Sequence, residues 1–298
     1  MLQLMGQVTG ELGIPVPATV AGNLSSDIAQ LLALMNACGY ELKSVAQWRA
    51  LNAQYLFTTQ YLTTTGAYTT AARTITAIPS TATLDTTWQA VGVGLPNNAM
   101  IMSVDSASQV TLNQDISQAV TAGPVYFQKM KYSLPSDYAS ITPRTQWDKS
   151  KHWEMLGPES AQQWEWLMSG FISTGPRIRW RLFGSYFQIW PGFSEAEQLG
   201  YEYRSRGWAR SDADAVKNSF TADTDTCIYP DRVMVLGTKL KYFEAKGFDT
   251  TAMYRNYMRE LDIAIAQDAS APNLSFAPGP GSILIGWDNI PDSNYGTS

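Results

Sequence analysis

The chain has 298 residues, 45% of them hydrophobic and only 16% charged, with a formal net charge of −5. That length suffices for one large or two modest domains with a substantial core, and the negative balance gives no electrostatic case for wrapping nucleic acid. No apolar run approaches the ~18 residues of a membrane span, and the first lysine is Lys43, so neither membrane anchoring nor a basic secretory leader is expected.

Residues 1–65 read as the amino-terminal helical part of the core. After Pro15 and Pro17, Asn23 or Ser25 can cap a helix whose Leu24, Ile28, Leu31, Leu32 and Met35 follow three-four spacing. Cys38-Gly39-Tyr40 reads as its end, with Gly39 in a left-handed cap. A second helical stretch is expected over 42–53, with Val45, Trp48 and Leu51 on one side. Residues 66–128 hold one basic residue, Arg73, and three acids, Asp85, Asp105 and Asp115, among many Thr and Val. They read as an all-β insertion domain of four to six short strands, clearest at Ala99–Leu112, a strand, polar turn and strand.

Residues 129–269 complete the core. Leu134-Pro135-Ser136-Asp137-Tyr138 reads as extended, and Gly157-Pro158-Glu159-Ser160 as a helix start with Pro158 at the first helical position. Period-two patterns at 177–183, 186–190 and 198–204, with Gly184-Ser185 as a hairpin turn, predict an antiparallel β-meander. Two apolar-striped helices follow, Asp231–Lys246 and one capped by Asp249, joined tightly enough to be antiparallel neighbours. Residues 270–298 are broken by proline and glycine yet contain the sticky run Ile283-Leu284-Ile285-Gly286-Trp287, an extended carboxy-terminal arm suited to binding. The expected class is therefore α+β: a helical bundle plus an antiparallel β-meander, with an all-β insertion and an extended arm.

The inventory for chemistry is thin. His152 is the only histidine, and Cys38 and Cys227, far apart and in no metal-ligand spacing, read as buried reduced thiols of a protein made in a cytoplasm. Gly92-Val93-Gly94 leads into Leu95-Pro96 rather than a helix, so it is no dinucleotide fingerprint. Asp223 and Asp225, with Asp212 and Asp214, have the composition of a cation site or an acid pair, but acids at turns more often cap backbone amides. Trp147, Trp153, Trp164 and Trp166 suit packing better than a sugar platform. Arg177, Arg179 and Arg181 on one strand face, and Arg204 and Arg206 in a basic turn, read as inter-subunit ion-pairing groups. No catalytic residue, metal or cofactor is expected, and the chain does not read as an enzyme. With 10 Trp, 15 Tyr and 10 Phe on so uncharged a chain, burial against partners is the favoured use of the surface.

One ordered set of motifs goes further. Leu134-Pro135-Ser136-Asp137-Tyr138, then Glu202-Tyr203-Arg204-Ser205, then Ile228-Tyr229-Pro230-Asp231 and Ala245-Lys246-Gly247-Phe248-Asp249 follow a helix ending near Cys38 and a tryptophan at Trp48. This order resembles the head-to-tail adaptor (connector, or tail tubular) proteins of short-tailed bacteriophages, over about half the chain. The resemblance implies a structural virion protein at the head–tail junction, assembled in the host cytoplasm. Its partners would be a homo-oligomeric ring of twelve copies, the portal protein above, and tail nozzle or fibre proteins below, with transient non-specific contact to viral DNA in the channel. The arm, through Phe276, Ile283, Leu284, Ile285 and Trp287, would bind the portal. Two alternatives stay open: another tail component, such as a nozzle or completion protein, and a tail-associated glycan-binding or glycan-cleaving module.

Overall fold

The computed structural model describes residues 1–169 and 177–268. Among them it is a mixed α and β structure of five helices and antiparallel sheets. The helices are α1 (Leu2–Leu12), α2 (Ser26–Val45), α3 (Ala161–Met168), α4 (Asp231–Lys246) and α5 (Thr251–Asp268).

The helical core joins sequence-distant segments. Met5, Val8, Leu31, Met35 and Leu42 from α1 and α2 meet Trp208, Phe220, Val233, Met234 and Leu261 in one buried cluster. Helix α1, absent from the sequence expectation, buries Leu4, Met5 and Val8 and stops at Gly13 in the left-handed region, φ 72°. Helix α2 starts beside Ser25 as expected, although Leu24 lies outside it and is fully exposed. It does not end at Gly39. A Cβ there would lie 2.5 Å from Cη2 and Cζ2 of the Trp208 ring, so this glycine admits an indole in mid-helix instead of capping. The helix expected over 42–53 does not form. Val45 ends α2, Arg49–Leu51 make one 3₁₀ turn, and the Trp48 indole donates to the Leu42 carbonyl (2.7 Å), folding the chain back. Helix α4 has its expected limits and ends at Gly247, φ 76°. The Asp249 carboxylate then accepts from the Thr251 amide (3.0 Å) and hydroxyl (2.7 Å) at the start of α5. Gly237 of α4 faces Cys38 and Tyr257, and a Cβ there would run into the thiol. Burial pushes the Cys38 and Cys227 thiols up to about 12, and both are free.

Two sheets share an aromatic core. The first orders β1 (Asn52–Thr58), β14 (Gln198–Ser205), β10 (Trp147–Asp148) and β11 (Trp153–Glu154), with β9 (Tyr138–Ile141) also on β14. The second orders β12 (Arg179–Phe183), β13 (Tyr186–Trp190) and β8 (Lys131–Ser133). Phe187 of one stacks on Tyr201 of the other, centroids 4.8 Å apart. The Gly184-Ser185 hairpin forms as expected, with Gly184 at φ 59°. The three-strand meander does not: β14 leaves β13 and pairs with β1 from Asn52↔Arg204 to Thr58↔Gln198. Period-two patterning fixes which face of β14 is apolar but not its neighbour, and Leu199 and Tyr201 find their burial across the two layers. Leu134–Tyr138 is a turn rather than extended, its Tyr138 amide donating to Pro135 O (3.0 Å). Helix α3 begins at Ala161, not Pro158. Ser160 and Gln163 form a reciprocal capping box there, which fixes the first turn.

Between β1 and β8 the chain makes a six-stranded sheet that nearly closes into a barrel. Its order is β2 (Tyr61–Tyr68), β7 (Val120–Lys129), β4 (Trp88–Gly92), β5 (Ala99–Ser106), β6 (Gln109–Leu112) and β3 (Thr74–Ile75). Reciprocal backbone bonds between Ala67 and Thr76, both 2.8 Å, link the β3 end back to β2. Ile75, Ala90, Ile101, Val110, Val125 and Phe127 fill its interior. The Ala99–Leu112 hairpin is as expected. A last small sheet orders β16 (Val216–Lys217), β15 (Ala209–Arg210) and β17 (Thr226–Cys227).

Candidate interaction surface

Two of the motifs that carry the resemblance, Leu134–Tyr138 and Glu202–Ser205, interlock. The Asp137 carboxylate accepts from the Tyr203 hydroxyl (2.8 Å), and the rings of Tyr138 and Tyr203 stack at 6.0 Å. The Arg206 amide donates to Asp137 O (2.7 Å), and its guanidinium donates to Ser136 O. Burial, with the Asp137 carboxylate alongside, raises the Tyr203 phenol above its ordinary value, so it stays a donor. Arg204 turns the other way and donates to the carbonyls of Lys43 (2.7 Å) and Ala46. A cation at the negative end of a helix is favourable and satisfies carbonyls that have no helical partner. Trp48, just beyond, packs at 5.1 Å on Tyr229. The Ala245–Asp249 motif forms the α4–α5 turn, where Phe248 lies 5.4 Å from Phe243.

The five arginines do not share one face. Arg177 is exposed, and Arg179 pairs with Glu159, whose side chain is buried. The Arg181 guanidinium sits over the rings of Trp164 (4.5 Å) and Phe183 (4.8 Å) while its Nε donates to Gln188 (3.0 Å). Arg204 and Arg206 belong to the motif junction. Arg181 thus anchors the described surface best built for contact. Phe183 is 53% exposed, and a cleft of about 180 Å³ runs between Arg181, Phe183, Lys131, Trp164 and Met100. An apolar rim around a stacked guanidinium is the composition of a protein-binding surface. The arm residues Phe276, Ile283, Leu284, Ile285 and Trp287 lie outside the described residues.

Three of the candidate acids, Asp223, Asp225 and Asp214, are engaged within the chain. Asp223 accepts from the amides of Val20 (3.0 Å) and Ala21 (2.8 Å). Asp225 is wholly buried, paired with Lys217 (2.7 Å) and accepting from the amides of Thr221 and Ala222. Burial opposes its charge, but Lys217 and those amides hold its carboxyl below the ordinary value. Asp214 pairs with Arg210, and His152 is exposed in the β10–β11 turn at φ 60°. Trp164 is buried while Trp153 and Trp166 are exposed. No group of three or more His, Cys, Asp and Glu side chains among the described residues is placed to hold a metal ion, and no described helix is long and apolar enough to cross a membrane.

One cluster escaped the sequence reading. Asp148, buried, accepts from the amides of Ser150 (2.9 Å) and Lys151 (3.0 Å), and Glu197, whose side chain is 6% exposed, lies beside it. Lys151 reaches Glu195 (3.0 Å) and Glu197 (3.3 Å). Burial first, then the adjoining Asp148 carboxylate, pushes the Glu197 carboxyl up to about 7. Thr59, in the turn between β1 and β2, exchanges backbone and hydroxyl bonds with this segment (Thr59 N to Glu197 O, 2.8 Å). The cluster therefore sits where the barrel joins the rest. Only fold topology brings Glu197 to Asp148 and Lys151, so spacing offered no signal.

No known protein-family model matches the chain, and no curated protein matches it.

Proposed function

We propose that this chain is a structural virion protein, a head-to-tail adaptor that assembles as a ring beneath the portal, extends the DNA channel and attaches the tail nozzle or fibres. The observation that carries the reading is the junction of Asp137, Tyr203, Arg204 and Arg206. Residues quoted for the resemblance from two separate stretches hydrogen-bond to each other and to the end of α2. In this reading the helical bundle and aromatic sheets form the ring wall, and residues 66–128 form an insertion that meets tail proteins. The arm of residues 270–298 reaches the portal through Phe276, Ile283, Leu284, Ile285 and Trp287. Arg177, with the Arg181–Phe183 surface, supplies subunit contacts, and the formal net charge of −5 suits a channel wall to which DNA must not adhere.

The test is native mass of the purified protein, alone and mixed with the portal ring of the same phage. The adaptor reading expects a discrete complex with close to twelve copies added per portal. No association, with a monomer or trimer throughout, removes it and favours a nozzle, completion or receptor-facing role.

A further inference from the structure

The cleft beside Arg181 holds two cations that no carboxylate answers. Arg181 and Lys131 both line it, and among the described residues neither makes an ion pair. Glu165 lines it too but acts on Arg181 only through space. The Arg181 guanidinium lies against Trp164 and Phe183 and uses its Nε on Gln188, which leaves its two terminal nitrogens as a fixed fork. Such a fork takes a carboxylate through two parallel hydrogen bonds. Lys131 Nζ lies 5.9 Å from the same Phe183 ring, and Met100 and Met168 add apolar wall. At about 180 Å³ the space is smaller than the ~300–1,000 Å³ of small-molecule sites and admits roughly one side chain.

The turn between β15 and β16 carries the complementary group. The Ser211 amide donates to Ala215 O and the Asp214 amide to Ser211 O (both 2.9 Å), and Arg210 pairs with Asp214 across the base. Asp212, Ala213, Asp214 and Ala215 are all exposed. Other carboxylates in turns and loops are engaged, Asp85 by Thr87, Asp115 by Arg73, Glu195 by Lys151 and Asp249 by Thr251. Among the described residues, Asp212 is the one turn or loop carboxylate that accepts no hydrogen bond and makes no ion pair. With only Ser211 and Ala213 beside it, it can enter a narrow cleft.

We propose that Asp212 of one copy seats its carboxylate between Arg181 and Lys131 of the next copy. The inference rests on the adaptor reading, which supplies the adjacent copy, and deepens it by naming the pair of groups that meet. A turn of one copy in a cleft of another is a head-to-tail contact, the kind that closes into a ring. Turn and fork are both held in place before they meet, so little ordering is required on contact.

A double-mutant cycle tests it. The parent, Asp212→Asn, Arg181→Gln and the double variant are each titrated against the portal ring of the same phage, and native mass reads the concentration at which copies add. Each single variant is expected to need about tenfold more protein than the parent, and the double variant no more than either single, because both changes remove one contact. Urea midpoints show which free variants are folded, and Lys131→Gln completes the cycle in place of an Arg181→Gln that is not. Single variants that assemble like the parent, or losses that multiply to about a hundredfold in the double variant, overturn the inference and leave the adaptor reading standing. A loss in Arg181→Gln without one in Asp212→Asn assigns the cleft to another protein's acid and overturns it equally. A parent that adds to no portal overturns both readings.

Discussion

Replacing Gly39 with alanine sets two effects of opposite sign against each other. In an exposed helix interior the change would stabilise by ~1 kcal/mol, because glycine has the greater backbone entropy to lose. Here the new Cβ would lie 2.5 Å from Cη2 and Cζ2 and 2.6 Å from Cε2 of Trp208, about 1 Å or more inside ordinary carbon–carbon contact at ~3.5–4.0 Å. The indole has no room to withdraw. It is fully buried, with Phe220 edge-on at 4.8 Å and Tyr229 stacked at 6.2 Å. Overpacking of this kind costs about 1–3 kcal/mol, and three ring atoms in collision put Gly39→Ala at the upper end. The net expectation is a loss of about 1–2 kcal/mol. Urea unfolding followed by circular dichroism would read it as a lower midpoint at unchanged slope. The double variant Gly39→Ala/Trp208→Phe should show the alanine costing less beside the smaller ring than beside the indole. An alanine variant as stable as the parent, or more so, would refute the close-approach account and restore Gly39 to an ordinary helix position.

Three other perturbations probe separate parts of the structure. Glu197 holds its proton up to about 7 in the folded chain against an ordinary 4.5, so folding should weaken as pH rises through that window and level off above it. With Lys151 and solvent screening the carboxylate, the loss should be about 1–2 kcal/mol, and Glu197→Gln should flatten it. Urea midpoints at pH 5 and 8 that shift equally for both proteins would contradict this. Asp225→Ala leaves Lys217 and the amides of Thr221 and Ala222 without their buried acceptor and should cost about 3 kcal/mol, read as a lowered melting temperature. Ser160→Ala removes the acceptor for the Gln163 amide and should cost ~1 kcal/mol, with faster amide exchange in the first turn of α3 as the local signature.

What the sequence conveyed was local. The Gly184-Ser185 hairpin, the limits of α4 and the Ala99–Leu112 hairpin rest on neighbouring residues, and there pattern and structure agree. Gly39 was misread because capping is glycine's commonest use near a helix end, while its real neighbour, Trp208, is remote in sequence. The same remoteness hid the partner of β14 and the meeting of Asp148 with Glu197. Val45, Trp48 and Leu51 do share helical spacing, yet Trp48 uses its indole to end the helix rather than to extend its face. For Asp223 and Asp225 the residue types alone left a cation site open, and the backbone amides around them decide for turn capping.

The barrel strands find all their strand partners within residues 61–129, whereas α1 and α2 bury their apolar sides against Trp208, Phe220 and residues of α4 and α5. During synthesis at ~5–20 residues per second, α2 is therefore complete roughly 10–45 seconds before α5 exists. The barrel can close in that interval, but Met5, Leu31 and Met35 still lack Trp208, Phe220 and the residues of α4 and α5. The nascent chain carries a finished β unit behind two helices with bare apolar stripes, so the yield of folded protein should depend on translation speed and on chaperones that shield those stripes.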